Sequence, residues 1–240
     1  MVEELDLEQI GAKELNRRLQ ALASQGLQSN TPPKVRLRNP HASHNIAVNV
    51  SGTLDIVVEG GAGFYCCGFM NGPTVTVRDD VGWYAADNML GGRLTVLNNA
   101  GRNLAASMIG GTVIVCGSAG SRVGYGLKGG TVVVCGEAGL FTGQQMLGGR
   151  IVLLDKVGQE AGESMVGGSI FYRKGSLAGM GNNVRRRPIN PAEAESLAVL
   201  FIENDLQADP GEFECLVPKG GQPKSQFAQP RPVVREEAAS

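Results

Sequence analysis

The side chains best suited to chemistry are two histidines, His41 and His44, the only ones in the chain. They stand three residues apart beside Pro40. A metal site would need more ligands, and neither a third histidine nor an obvious carboxylate stands near them in sequence. A Ser-His-Asp or Cys-His catalytic site would have to use one of these two residues, and no nucleophile motif accompanies them. We therefore expect a hydrogen-bonded turn, with no metal and no catalytic residue on this chain.

Cysteines are the next candidates for chemistry. Cys66 and Cys67 are adjacent, unlike the two- to four-residue gap between paired zinc-ligand cysteines. Cys116 and Cys135 are separated by one period of the repeat described below, a placement that would bring their Cα atoms near disulfide range. Because a reducing compartment disfavours disulfides, we expect these four thiols to be reduced and packed.

Two motifs could hold a phosphate or a carboxylate. Gly124 to Gly129 match G-x-G-x-x-G, but a strand-like segment follows where a dinucleotide site needs a helix, so no nucleotide or other cofactor is expected on this chain. Arg185, Arg186 and Arg187 form a cluster that could bind an anion bidentately. A solvated cluster or a surface for an acidic partner is the favoured interpretation, and the three arginines are candidate interface residues.

The elements that must position these residues follow from a repeat of 19 residues between Leu90 and Tyr172. Four columns keep the same register. They are the glycine pairs from Gly91–Gly92 to Gly167–Gly168, single glycines from Gly82 to Gly158, small residues from Ala86 to Gly162, and long residues from Met70 to Met165. Agreement in four columns establishes the repeat.

Each unit holds one strand-like segment rich in β-branched residues, such as TVIVC, between glycines. Stacked units place equivalent residues about 4.8 Å apart as in-register parallel strands. The predicted fold class is therefore all-β, a right-handed parallel β-helix of roughly six to seven coils, with helical extensions at both ends. Two strand columns and the methionine column point inward, and the glycine columns form corners.

One outward column becomes steadily apolar: Thr95 is followed by Ile114, Val133, Val152 and Phe171. Either the terminal helices of this chain cover it, or it contacts another subunit. We favour the subunit interface, so these four residues join the arginines as candidate interface residues. On that interpretation, Val133→Asp weakens assembly more than folding.

Three segments are expected. Residues 1–34 hold a helix with an apolar stripe, ending near Gly26, and a linker. Residues 35–184 form the β-helix, with short strands VRLRN and NIAVNV and a degenerate first coil at 51–70. Residues 185–240 begin with a helix started by Asn190-Pro191. From Asp209 onward the composition predicts a flexible tail or an arm laid over a partner.

Charge and hydrophobicity exclude some classes of binding partner. A formal net charge of −1 argues against nucleic acid or an anionic membrane surface. No apolar run approaches the ~20 residues that cross a bilayer. The acidic start, MVEELDLEQ, lacks the pattern of a signal peptide. We expect a soluble cytoplasmic protein.

The column pattern resembles the glycine-repeat (GXGXG) β-helix domain of glutamate synthases, which also occurs as the C subunit of formylmethanofuran dehydrogenase and of the related formyltransferase/hydrolase complex. Residues 35–183 fit that domain. The segments LDLEQIGAKELNRRLQ, RNPHASHNIAV and GFYCCGFMN look closest to stand-alone subunits of the split glutamate-synthase type, such as N-methylglutamate synthase.

The resemblance implies a non-catalytic scaffold subunit in a hetero-oligomer. Its expected partners are a class II glutamine amidotransferase-like subunit and an FMN-binding glutamate-synthase-like subunit. FMN, with an iron–sulfur cluster as a second candidate cofactor, would sit on that partner. The transferred amine, ammonia or methylamine, is left open. The alternatives are the C-subunit role in a formyl-transfer complex and a homo-oligomeric β-helix binding protein.

Overall fold

The computed structural model describes residues 2–220, which form a parallel β-solenoid of about seven turns. The predicted fold class is confirmed. The strands are β1 (Val2–Asp6), β2 (Lys34–Arg38), β3 (Asp55–Val58), β4 (Thr74–Val77), β5 (Arg93–Val96), β6 (Thr112–Val115), β7 (Thr131–Val134), β8 (Leu147–Leu153), β9 (Gly167–Arg173), β10 (Val184–Pro188) and β11 (Phe213–Pro218). The helices are α1 (Ala12–Gly26), α2 (Pro191–Glu203) and a short 3-10 helix (Pro210–Glu212).

The strands form one sheet whose order is that of the chain from β1 to β9, all parallel. From β3 to β9 each strand pairs with the next at an offset of one repeat, as when Thr112 pairs with Thr131 and Thr131 with Arg150. The offset between β2 and β3 is two residues longer, with Lys34 opposite Asp55. Strand β2 therefore belongs to the stack of coils, one turn ahead of the degenerate first coil predicted at 51–70.

The predicted inward columns are confirmed, since all of their members are buried. One strand column runs from Leu94 to Ile170, the second from Val96 to Tyr172, and the long-residue column from Met70 to Met165. In this core, similar side chains of successive coils contact one another, because the repeat places equivalent residues directly above one another.

Glycines form the corners for two separate reasons. Gly111 has φ of +89°, in the left-handed region that side chains disfavour. A Cβ on Gly129 would lie 2.2 Å from the carbonyl oxygen of Ile109 in the preceding coil. Close approach of successive coils thus excludes a side chain there.

The segment NIAVNV is not a strand, so that prediction was wrong. Asn45, Ala47 and Asn49 all have φ near +60°. Ile46, Ala47 and Val50 are buried while Val48 is only half-buried, so the segment does not show the two-residue alternation of a half-buried strand. The left-handed turns recur at the same place in later coils, where short residues such as Ala86 and Ala105 adopt them.

Terminal elements cover both ends of the solenoid. Helix α1 lies across the first coil, where the Asn16 side chain donates to the Asn45 carbonyl and Gln20 exchanges hydrogen bonds with the backbone of Ser51. The end of α1 at Gly26 is as predicted, whereas the edge strand β1 was not predicted. At the other end β11 pairs antiparallel with β9 and with β10, which is the outermost strand. Pairing and covering of this kind protects sheet edges.

The prediction of a flexible tail from Asp209 was wrong as far as residue 220. Residues 213–218 form β11, between β9 and β10 in the sheet. Residues 221–240, the remainder of that predicted tail, lie outside the described residues. Helix α2 begins as predicted at Asn190-Pro191, with a capping box between Asn190 and Glu193.

Candidate interaction surface

The apolar outward column is covered by this chain itself. Ile114, Val133, Val152 and Phe171 are at most 5% exposed. They share one cluster with Leu197, Leu200 and Phe201 of α2 and Phe213, Cys215 and Val217 of β11. The predicted subunit interface at these four residues is therefore corrected: an apolar face that a terminal helix covers has no surface left for a partner.

The arginine cluster lies on β10 and divides into two parts. Arg187 donates two hydrogen bonds to the Glu193 carboxylate, at 2.6 and 2.7 Å. These bonds hold the pKa of Glu193 below its usual value, so Arg187 ties β10 to the start of α2. Arg185 and Arg186 are exposed and stay candidates for a contact with an acidic partner.

Both histidines are hydrogen-bonded, but to residues 33 and 20 positions away in the chain and not within a local turn. His41 Nε2 lies 2.9 Å from a Glu8 carboxylate oxygen. His44 Nδ1 accepts from the Phe64 backbone N–H at 2.9 Å. Within residues 2–220 no group of three or more histidine, cysteine or acidic side chains is placed to hold a metal ion.

The thiols occupy two kinds of environment, and all five are free cysteines. Cys66 and Cys67 are fully buried, with their sulfurs 3.7 Å apart. Cys116 is exposed and Cys135 half-buried, one above the other on successive coils. Burial raises the pKa of Cys135 to about 11, with a smaller effect from Cys116. A raised pKa leaves little thiolate at neutral pH, which makes a poor nucleophile.

Near the first end of the solenoid, exposed aromatic rings are stacked from coil to coil. We call this the aromatic ladder; its members are His44, Phe64, Tyr65, Trp83 and Tyr84. The His44 and Phe64 ring centroids are 4.6 Å apart, and those of Phe64 and Trp83 are 5.3 Å apart. Tyr65 and Tyr84 form a second stack at 5.1 Å. In all three pairs the ring planes are within 14° of parallel.

The glycine column gives the ladder its space. A Cβ on Gly82 would lie 2.6 Å from Phe64 Cδ1, and one on Gly101 would lie 2.6 Å from Trp83 Cδ1. Each ring therefore packs against a residue without a side chain in the following coil. The same glycines that mark the repeat allow successive rings to approach to stacking distance.

At the centre of the ladder, Phe64 and Trp83 expose ring edges rather than ring faces. Phe64 covers one face of Trp83, and the guanidinium of Arg102 lies 5.5 Å from its centroid. A sugar or nucleobase that binds by stacking would find both faces of this ring occupied. Yet Phe64, Tyr65 and Trp83 remain 38–45% exposed, and Phe69 is also exposed nearby. A wall of aromatic edges suits packing by protein side chains, and Trp and Tyr are enriched among interface hot spots.

Carboxylates border the ladder. An open groove of about 600 Å³ beside it is lined by both histidines, Phe64 and three acidic residues, Glu59, Asp79 and Asp80. Glu59 pairs with Arg36 and Arg78. Asp79 and Asp80 accept hydrogen bonds from Asn98 and Asn99 and make no ion pair within the described part of the chain. The groove therefore has an acidic margin.

Sequence reasoning missed the ladder as a site, although a signal was present. The segments GFY and GWY place aromatic pairs one period apart. To predict that these residues stack, one must know the register of the first coils, where the repeat is least regular. No helix among residues 2–220 is long and apolar enough to cross a membrane.

The fold and this surface define a β-solenoid protein that presents an aromatic face. No family model matches the chain. Over 73 residues it is 34% identical to Protein GlxC of Rhizobium meliloti (strain 1021); this segment is 30% of this chain and 30% of that protein.

Among solved structures, the chain is similar to one from the formyltransferase/hydrolase complex (FhcABCD) of Methylorubrum extorquens, determined in complex with methylofuran. The TM-score is 0.65 at 22% identity, covering 85% of this chain and 84% of the other. Identity at that level shows a common fold, found there in a chain of a multisubunit complex.

Proposed function

We propose that this chain is a non-catalytic β-solenoid subunit of a glutamate-synthase-type flavoenzyme. It bridges a class II glutamine amidotransferase-like subunit and an FMN-binding synthase-like subunit, and so supports the transfer of ammonia or methylamine between them. FMN, with an iron–sulfur cluster as a second candidate, is held by the synthase-like partner. The product is glutamate or N-methylglutamate.

The observation that carries the proposal is the aromatic ladder. Phe64 and Trp83 are exposed, but both faces of each ring are occupied: those of Phe64 by His44 and Trp83, and those of Trp83 by Phe64 and Arg102. Such a surface favours a protein partner over a stacked small molecule. The column pattern and the segment GFYCCGFMN support the glutamate-synthase type among the possible complexes.

A rigid solenoid suits a bridging role. Its backbone hydrogen bonds run from coil to coil along its length, as from the Ala105 N–H to the Ala85 carbonyl and from the Gly124 N–H to the Leu104 carbonyl. A body of about seven turns at about 4.8 Å each spans about 34 Å. Two partners bound at different positions along it would be held at a set separation.

The test is co-expression of the tagged full-length chain with recombinant amidotransferase-like and synthase-like subunits, followed by affinity purification. We expect both subunits to be retained and the complex to show flavin absorbance. Supplying ammonia or methylamine then identifies the amine from the product formed. A chain that purifies alone, colourless and without either subunit would refute the proposal.

A matched pair of variants tests the ladder itself. Trp83→Ala should weaken retention of one subunit by about tenfold or more, the usual effect of losing a tryptophan hot spot. Leu140→Ala is the control, because Leu140 is equally exposed but lies beyond the stacked rings. Equal effects of the two substitutions would show that the ladder is not the interface.

The formyltransferase/hydrolase type is the second candidate, favoured by the similarity in fold over most of both chains. It predicts retention of formyl-transfer subunits in place of the two synthase subunits. A homogeneous oligomer of this chain alone would instead indicate a homo-oligomeric binding protein.

A further inference from the structure

Helix α2 is apolar on both of its sides. Leu197, Leu200 and Phe201 face the sheet and are buried. On the opposite side, Val199 is 49% exposed and Ile202 is 81% exposed. A surface helix normally carries polar residues on its outer side, and a helix that is apolar all round is normally buried all round. The outer side of α2 therefore has the composition of an interface.

The rim of this outer side is acidic. Glu195, Glu203, Asp205 and Asp209 are exposed, and none makes an ion pair with another residue of the 2–220 range. Helix α2 contains no lysine or arginine. The carbonyl groups at a helix C-terminus add partial negative charge, which a cation would stabilise. The local field thus favours a positively charged partner.

The nearby cations form no ion pair with the carboxylates of this rim in the described part of the chain. Arg150 donates to Thr131 and Ser196, and Arg93 donates to Asn204 at the end of the helix. Both arginines belong to the outer face of the sheet strands and are half-buried. Their hydrogen bonds are to neutral oxygens, although the charge of Glu203 also acts on Arg150.

A cleft adjoins the end of α2. It has a volume of about 570 Å³, and Phe201 and Leu206 contribute apolar lining while Asp205 and Asp209 contribute carboxylates. Lysine and arginine combine a long aliphatic stem with a cationic head, and they bury the stem while the head stays near water or an anion. The lining of this cleft suits one such side chain.

We propose that the outer side of α2, centred on Val199 and Ile202, is a second docking surface, for a partner subunit with an apolar centre and a lysine- and arginine-rich rim. One lysine or arginine of that partner enters the cleft beside Asp205. The inference rests on the proposed bridging function and names the chemistry of one of the two partners.

A second copy of this chain does not fit the surface. Two-fold pairing through α2 would bring the same acidic rim against itself, and juxtaposed like charges disfavour association. The location also differs from that of the ladder. Helix α2 covers the outward face of β6 to β9, whereas the ladder lies on the turn segments of the first coils. Two partners can therefore bind at once, as a bridge requires.

The test uses the co-expressed complex of full-length subunits. Ile202→Asp should weaken retention of one subunit by about 10- to 100-fold while the other subunit stays bound. Because Ile202 is 81% exposed, the melting temperature of the isolated chain should fall only slightly, through the effect of an acidic residue in the last turn of the helix. Val166→Asp is the matched control, with a similar loss of an exposed aliphatic side chain away from α2.

Zero-length carbodiimide cross-linking gives an independent readout. We expect cross-links from Glu203, Asp205 or Asp209 to lysines of the subunit that Ile202→Asp releases, and their loss in that variant. If the wild-type complex forms but Ile202→Asp retains both subunits and no such cross-link is found, the docking surface is wrong while the bridging function stands. If the wild-type chain retains neither subunit, the bridging function fails, and this inference with it.

Discussion

Replacing Val133 with aspartate tests whether α2 or a partner covers the outward column. Val133 lies on β7 and is fully buried under α2, within the cluster that includes Leu197 and Phe201. The substitution removes an aliphatic side chain from this contact and places a carboxyl group there. If the column were a subunit interface, the isolated chain would tolerate the change. With α2 docked on it, folding should suffer instead.

The expected cost is about 2.5–6 kcal/mol, from lost burial and from the carboxyl group introduced. Burial of a valine side chain contributes roughly 1.5–3 kcal/mol. A buried carboxyl without a hydrogen-bond partner adds about 1–3 kcal/mol even when it is neutral. Helix α2 is held by three buried side chains of its own, Leu197, Leu200 and Phe201, so a loss of this size is a large part of its docking free energy. We expect α2 to detach before the solenoid unfolds.

The sign of the pH dependence follows from burial, which raises the pKa of the introduced carboxyl in the folded state. Below the unfolded-state value of about 3.9 the group is neutral in both states, and the penalty is smallest. As the pH rises above that value the unfolded or detached state gains charge first. The destabilisation therefore grows from pH 4 to pH 7.

The assay combines denaturant unfolding with hydrogen exchange of the amides in residues 191–203, on the isolated full-length chain. Thr95→Asp is the matched control, because Thr95 occupies the same column but is only half-buried and lies outside the cluster under α2. It should cost less than about 1 kcal/mol, as most surface substitutions do. If Val133→Asp exchanges and unfolds like Thr95→Asp, the column is not covered by α2 and the reasoning is refuted.

Three further predictions concern other contacts. The hydrogen bonds from Arg187 hold the pKa of Glu193 low in the folded state. Their contribution to stability is therefore present above the unfolded-state pKa of about 4.3 and is lost as the pH falls through the folded-state pKa. Glu193→Gln should remove this pH-dependent contribution from thermal melts recorded between pH 3 and 7. Cys135, with its pKa raised to about 11 from 9.0, should react with iodoacetamide at pH 8 about 100-fold more slowly than a free cysteine, as followed by peptide mass spectrometry; equal rates would contradict its burial. Gly101→Ala places a methyl group 2.6 Å from Trp83 Cδ1, so it should change the tryptophan fluorescence, and an unchanged spectrum would argue against the stack.

Much of the fold could be predicted from the sequence, because equivalent positions in successive coils have the same environment and so show the same residue types. The columns through Leu94, Val96 and Met89 showed which side chains face inward, and the structure buries all three. The start of α2 was also predictable, since Asn190 and Pro191 are local signals that act within one turn of helix.

Other elements could not be predicted because local pattern was ambiguous or absent. NIAVNV contains the β-branched residues typical of a strand, but left-handed φ values at Asn45, Ala47 and Asn49 make it a series of turns. β11 lies in a stretch rich in proline and glycine, and its pairing with β9 is decided by a partner strand about 40 residues away.

The sequence by itself determined the repeat, the register and the inner faces, because stacking at a fixed period is a relation between equivalent residues of adjacent coils. Only the tertiary structure decided which outer faces remain open. Helix α2 returns across β6 to β9 and removes the column from Ile114 to Phe171 from the surface. The rings from His44 to Trp83 have no such cover among residues 2–220 and stay exposed. Burial of an outward face depends on contacts between residues that are distant in the chain. A local sequence pattern does not predict such contacts.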